Sequence, residues 1–94
     1  MKTRARFSVP AEHPALAGHF PGNPMVPGSV ILEQILALCP AGCARLDHIK
    51  FQRPLIPGRE AEVEFEPTGD GSALSFRCLQ DERPICAGRL SLAP

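Results

Sequence analysis

The chain has 94 residues, and its ten lysines and arginines balance ten aspartates and glutamates. With no basic stripe and neither Trp nor Tyr, it lacks the charge footprint and the stacking platforms of a nucleic-acid binder, and nothing in it suits an anionic membrane. A chain of this length fits a single domain, residues 1–94, that buries only about 60–65% of its unfolded surface, so a partner subunit is expected.

Thr3 to Val9 alternates, with Ala5, Phe7 and Val9 on one side and Arg4, Arg6 and Ser8 on the other, which is the period of a half-buried strand. Pro10 to Pro27 holds five prolines and two glycines and predicts no regular structure. Gly28 or Ser29 opens a helix that runs to about Cys39, where Pro40 and Gly42 stop it. Its residues are apolar around almost the whole circumference, so protein should wrap most of it.

The second half reads as a β meander. Strands are expected over Leu46–Gln52, Glu60–Glu66, a segment containing Leu74, Phe76 and Cys78, and Ile85–Leu92. Turns fall at 54–58, at Thr68–Ser72 (TGDGS) and at Asp81–Pro84. Ala61, Val63 and Phe65 should face in, and the glutamates at 60, 62, 64 and 66 should form a solvated face. The class is therefore α+β, one antiparallel sheet curved around one apolar helix.

The apolar run Val30 to Pro40 is too short to span a bilayer, and the N-terminus lacks the apolar block of a signal peptide, so a cytoplasmic protein is expected. Cys39, Cys43, Cys78 and Cys86 form no CxxC pair, and no nearby ligand set completes a metal site. Four free buried thiols are the expectation, with no metal.

The chemistry concentrates in GHFPGNPMVPGSVILE, residues 18–33. His19 lies in a bend set by two glycines and two prolines, a backbone path suited to a tight turn or to close approach to a ligand. Its bland alternative is a surface histidine with a local hydrogen bond. Glu33 is the one acid on the apolar helix. Burial there would drive it toward its protonated form, whereas a narrow wet face or a subunit seam would leave it ordinary. Gly28, at the first helical turn, leaves its N–H open and aligned with the positive end of the helix dipole, which suits an oxygen gaining negative charge. The other reading is a glycine needed only to relieve Pro27. His13 and His48 carry no such context.

This stretch resembles the active-site signature of the β-hydroxyacyl-acyl carrier protein dehydratases: GHFPG, a few residues, PG, then an apolar helix bearing an acid. His19 and Glu33 stand 14 residues apart, as in that family, and Gly28 falls at its helix-opening glycine. IKFQRPLIPG (49–58) and Ile85–Leu90 are similar to later family segments. The resemblance implies a hot-dog fold, and a dimer whose active sites lie at the seam between His19 of one chain and Glu33 of the other. It implies a (3R)-hydroxyacyl thioester substrate carried by an acyl carrier protein on a phosphopantetheine arm. No cofactor of the enzyme's own is then required. His19 would take the C2 proton, Glu33 would assist loss of the 3-hydroxyl, and the Gly28 N–H would hold the thioester oxygen. Phe20, Val26 and Pro27 would join Gly28 in binding substrate. The assembly would be a homodimer, an oligomer of dimers, or a heterodimer with a related subunit.

The chain is shorter than the elongation dehydratases and has no tyrosine for the aromatic gate some members carry. Compact relatives occur in pathways such as aryl polyene synthesis. Three other readings compete: a non-catalytic hot-dog subunit paired with an active relative, a thioesterase in which Glu33 activates water, and an acyl-binding module without chemistry.

Overall fold

A computed structural model describes residues 2–13, 26–40 and 43–92. Its elements follow the expected order: β1 (Thr3–Phe7), α1 (Gly28–Leu38), β2 (Cys43–Phe51), β3 (Ala61–Pro67), β4 (Ala73–Gln80) and β5 (Arg83–Leu92). The strands form one antiparallel sheet in the order β1-β3-β4-β5-β2. One helix against one five-stranded antiparallel sheet is the expected hot-dog arrangement.

Register explains which side chains meet. Ala5, Val63, Cys78, Cys86 and Phe51 are successive partners across the five strands, and Phe65, Phe76, Gly88 and Ile49 form the neighbouring row. Period-two alternation puts both rows on the face that packs against α1. Val63, Phe65, Cys78, Cys86 and Leu90 are buried there with Val30, Ile31 and Ile35 of the helix. Gly88 has a steric reason, since a Cβ at that position would lie 2.6 Å from Cζ of Phe76.

Four features differ from the sequence reading. The helix is covered on one face only: Val30, Ile31 and Ile35 are buried, while Leu36 is 42% exposed and Glu33 and Ala37 face solvent. A single chain supplies one sheet, which covers one arc of a helix and no more. Strand β2 starts at Cys43 rather than Leu46, with irregular register between Cys43 and Arg45 and again between Leu46 and His48. Such bulges break strict alternation and hide the strand's start.

The third difference is the turn expected over Asp81–Pro84, which tightens to Asp81–Glu82, with Gln80 and Arg83 already paired. Pro84 enters β5 where the β4–β5 register shifts, a place that tolerates a missing N–H. Fourth, Cys39 is disulfide-bonded, so the expected free buried thiols are Cys78 and Cys86, which face each other across β4 and β5. A hydrogen bond between the two thiols, together with burial, pushes the Cys78 thiol up.

The outer face carries the charges. Glu64 is more deeply covered than a solvated face would allow, because Arg4 (3.1 Å) and Arg77 (2.8 Å) close over it from the flanking strands. The Arg77 bond holds the Glu64 carboxyl below the usual carboxylate range. In the TGDGS hairpin, Asp70 accepts from the Ser72 N–H and from the hydroxyls of Ser72 and Thr68. Those bonds, the Ser72 N–H foremost, hold its carboxyl down at about 2.

Candidate functional site

The site grows from the start of α1. Pro27 is the N-cap, with φ −58° and ψ 146°, and its carbonyl accepts from the N–H groups of Val30 (3.0 Å) and Ile31 (3.2 Å). Among the described residues no side chain caps the helix, and its first turn carries no acid. No described side chain therefore neutralises the positive end of the dipole at Gly28.

Three contacts place this helix start against the sheet. The Val26 N–H donates to the Leu55 carbonyl at 3.2 Å, and the Gly58 N–H to the Val9 carbonyl at 2.7 Å. Between them Gln80, buried at the end of β4, clamps the loop. Its Oε1 accepts from the Ile56 N–H at 2.8 Å, and its Nε2 donates to the carbonyls of Ile56 (3.0 Å) and Arg59 (3.2 Å). Every polar atom of this buried amide is used, which is what makes its burial tolerable.

Above Gly28 lies Phe51, the last residue of β2. A Cβ on Gly28 would stand 2.9 Å from Cζ and 3.1 Å from Cε2 of that ring. The glycine is thus needed to let the ring in, a reason beyond relief of Pro27. Although it packs here, Phe51 is 45% exposed. With Val26, Ile31, Gln52, Arg53 and Pro54 these two residues line a largely apolar cavity of about 310 Å³.

Of the residues singled out in the sequence, Gly28 and Val26 line this cavity, and Pro27 caps the helix between them. Glu33 does not join them. It is five residues along the helix, about 140° around its axis from Gly28, and it is exposed, so the oily setting expected for it is absent from a single chain. His19 and Phe20 lie outside the described residues. Phe51 was missed by sequence reasoning. Its only local signal is an aromatic residue closing a strand just before Arg53-Pro54.

Among the described residues, no group of three or more His, Cys, Asp or Glu side chains could hold a metal ion, and no helix is long and apolar enough to cross a membrane.

Comparison with known proteins adds the family. The model of the ApeI-like family (ApeI dehydratase) matches residues 1–89. The 3-hydroxyacyl-[acyl-carrier-protein] dehydratases FabZ of Klebsiella pneumoniae and Salmonella arizonae are each 33% identical over 108 residues, covering 96% of this chain and 72% of theirs. Among solved structures, the dehydratase heterocomplex ApeI:P from Xenorhabdus doucetiae superposes with a TM-score of 0.77 at 22% identity, covering 99% of this chain and 88% of that one. An uncharacterized protein from Erwinia carotovora subsp. atroseptica gives 0.70 at 23% identity, covering 99% and 83%. These two likenesses support the fold. A match along nearly the whole chain and relatives at 33% identity support more than that, and the chain belongs to the ApeI-like dehydratase family.

Proposed function

We propose that the protein removes water from a (3R)-hydroxyacyl thioester, carried by an acyl carrier protein, to give the trans-2-enoyl thioester. The observation that carries this reading is the uncapped helix start at Gly28, open to an apolar cavity under Phe51. A thioester carbonyl seated there meets a fixed N–H and the helix dipole. Both stabilise the enolate oxygen that forms when the C2 proton leaves. His19 acts as the base for that proton. Glu33 assists departure of the 3-hydroxyl, which is a poor leaving group without an acid.

Within one chain Glu33 points away from the Gly28 cavity, so the acid that serves this cavity comes from a second subunit. That subunit is another copy or a related chain. The heterocomplex named for the structurally similar ApeI:P assembly favours testing the second possibility beside the first. In that variant the chain contributes half of each site and is silent alone.

The experiment is a spectrophotometric assay of enoyl-thioester formation from a 3-hydroxyacyl thioester. Wild-type protein forms the enoyl product, and His19→Ala and Glu33→Gln each abolish it while keeping the wild-type circular dichroism. Release of free thiol without enoyl product would replace this reading with a thioesterase. Wild-type rates in either variant would overturn the role given to that residue.

A further inference from the structure

We propose that Gln80 is a positioning residue of the site: by holding the loop at 54–58 it fixes where the Gly28 N–H stands against the thioester oxygen. Gln80 is not part of the walls of the Gly28 cavity. Its role, which rests on the thioester reading above, is exerted through two other segments of the chain.

The loop cannot hold itself. Pro54 and Pro57 carry no N–H, so residues 54–58 cannot join the sheet as a further strand. Leu55 is nevertheless wholly buried, which takes the adjoining backbone partly out of water and leaves its polar groups in need of partners. Gln80 supplies them. Its carboxamide has the donor and the acceptor of a peptide unit, and it exchanges both bonds with Ile56, as one residue of an antiparallel pair does with its opposite. A third bond, to the Arg59 carbonyl, closes the end of the loop. An apolar side chain here would bury similar surface without direction, whereas three hydrogen bonds fix the loop in orientation as well as in position. Among the described residues Gln80 and Glu64 are the two buried polar or charged side chains. Glu64 answers to arginines on the outer face, and Gln80 answers to this loop.

The carboxamide is itself firmly placed. Gln80 pairs with Arg83 at the end of β4, across a two-residue turn in which Asp81 and Glu82 have φ of 53° and 65°. Positive φ at both central residues is the turn geometry that matches the twist of the two strands. From there the route to the helix is short. Ile56 adjoins Leu55, whose carbonyl receives the Val26 N–H at 3.2 Å. Val26 leads to Gly28 through Pro27, whose φ is locked by its ring. A reacting group displaced by about 1 Å costs on the order of 10²-fold in rate, so slack at the loop reaches the chemistry.

Steady-state kinetics on the full chain test this with Gln80→Met, which keeps the length of the side chain and removes its amide; circular dichroism verifies the fold. kcat should fall by about tenfold or more with KM within about twofold of wild type, the pattern of an interaction realised in the transition state. In a Gly28→Ala background, where the N–H is already crowded, the same substitution should cost less than about threefold. Val63→Ala, a core truncation that removes no hydrogen bond, is the stability control: it should lower the denaturation midpoint and leave kcat at the wild-type value. A readout without turnover uses hexanoyl-pantetheine, a thioester with no 3-hydroxyl to lose. At saturation it should move the Gly28 amide resonance in the wild type, and move it much less in Gln80→Met.

Wild-type kcat in folded Gln80→Met overturns the assignment, as does a loss confined to KM. Multiplicative losses in the Gly28→Ala background, or an equal fall of kcat in Val63→Ala, would leave Gln80 a stabilising residue only and overturn it likewise. The two readings fail separately. A wild type that eliminates water while hexanoyl-pantetheine leaves the Gly28 resonance still overturns the positioning of that N–H and spares the dehydratase reading. A wild type that shows the Gln80-dependent shift at Gly28, yet forms no enoyl product from any 3-hydroxyacyl thioester, retires the dehydratase reading and leaves the positioning in place.

Discussion

The ring of Phe51 rests on Gly28, its Cζ 2.9 Å from where a β-carbon would be. Strand β2 and the start of α1 are joined at this point, and the helix-opening N–H lies beneath an aromatic roof. Only a residue without a side chain permits the contact. A pair so arranged can be taken apart by substitution from either side.

Gly28→Ala should leave the fold intact, because the atom it meets is the far end of a half-exposed side chain that can swing aside. The methyl group and the displaced ring would crowd the N–H, and kcat should fall by about 10²-fold, the scale of losing one oxyanion donor. Adding Phe51→Ala should restore room and recover part of the rate. A steady-state comparison of the two single variants and the double variant measures this coupling, and strictly multiplicative effects would refute it.

The two faces of α1 should respond differently. Ile35 is wholly buried against the sheet, and Ile35→Ala should destabilise the protein by about 2–5 kcal/mol in urea unfolding. Its neighbour Leu36 is 42% exposed, so Leu36→Ala in an isolated chain should cost under about 0.5 kcal/mol. Leu36→Glu should instead lower the oligomer mass in light scattering, since the uncovered face is the one left for a partner.

Gln80→Leu removes the clamp on the loop at 56–59 and leaves the Ile56 N–H and two carbonyls without their partner. The expected cost is about 1–3 kcal/mol, read from the denaturation midpoint. Because Leu55 in the same loop receives the Val26 N–H, amide exchange at Val26 should also accelerate. Unchanged exchange at Val26 would show that the helix start is fixed by other contacts.

Acid should expose the Asp70 turn. Its carboxyl is held at about 2, below the ordinary 3.8, so its ionised form favours the folded state. That contribution is complete above about pH 4 and disappears as pH falls through about 2. Asp70→Asn should therefore melt below the wild type at pH 7, with the gap in Tm closing between pH 4 and pH 2. A gap that persists unchanged to pH 2 would assign the effect to the hydrogen bonds rather than to the charge.

Much of the architecture was readable from alternation. Ala61, Val63 and Phe65 turn inward as their spacing requires, and the Thr68–Ser72 turn forms around Asp70, whose carboxylate bonds the backbone of the same turn. The edges were harder to read. The bulges in β2 erase the alternation at Cys43–Leu46, and Asp81–Glu82 makes a tight hairpin without the glycine or asparagine that would announce it. For the site, Gly28 and Val26 could be picked out by local chemistry. Phe51 could not, because its significance lies in a contact 23 residues away that only the fold creates. Glu33 was legible as an oddity. Which side of the helix stays wet, however, depends on how much sheet one chain can provide.

The bare flank of α1 carries a kinetic signature. An acid standing on the bare flank of its own helix cannot reach the cavity at Gly28 without a visitor. Specific turnover should then decline on dilution and revive on concentration, in the manner of a reaction whose first step is an encounter between chains.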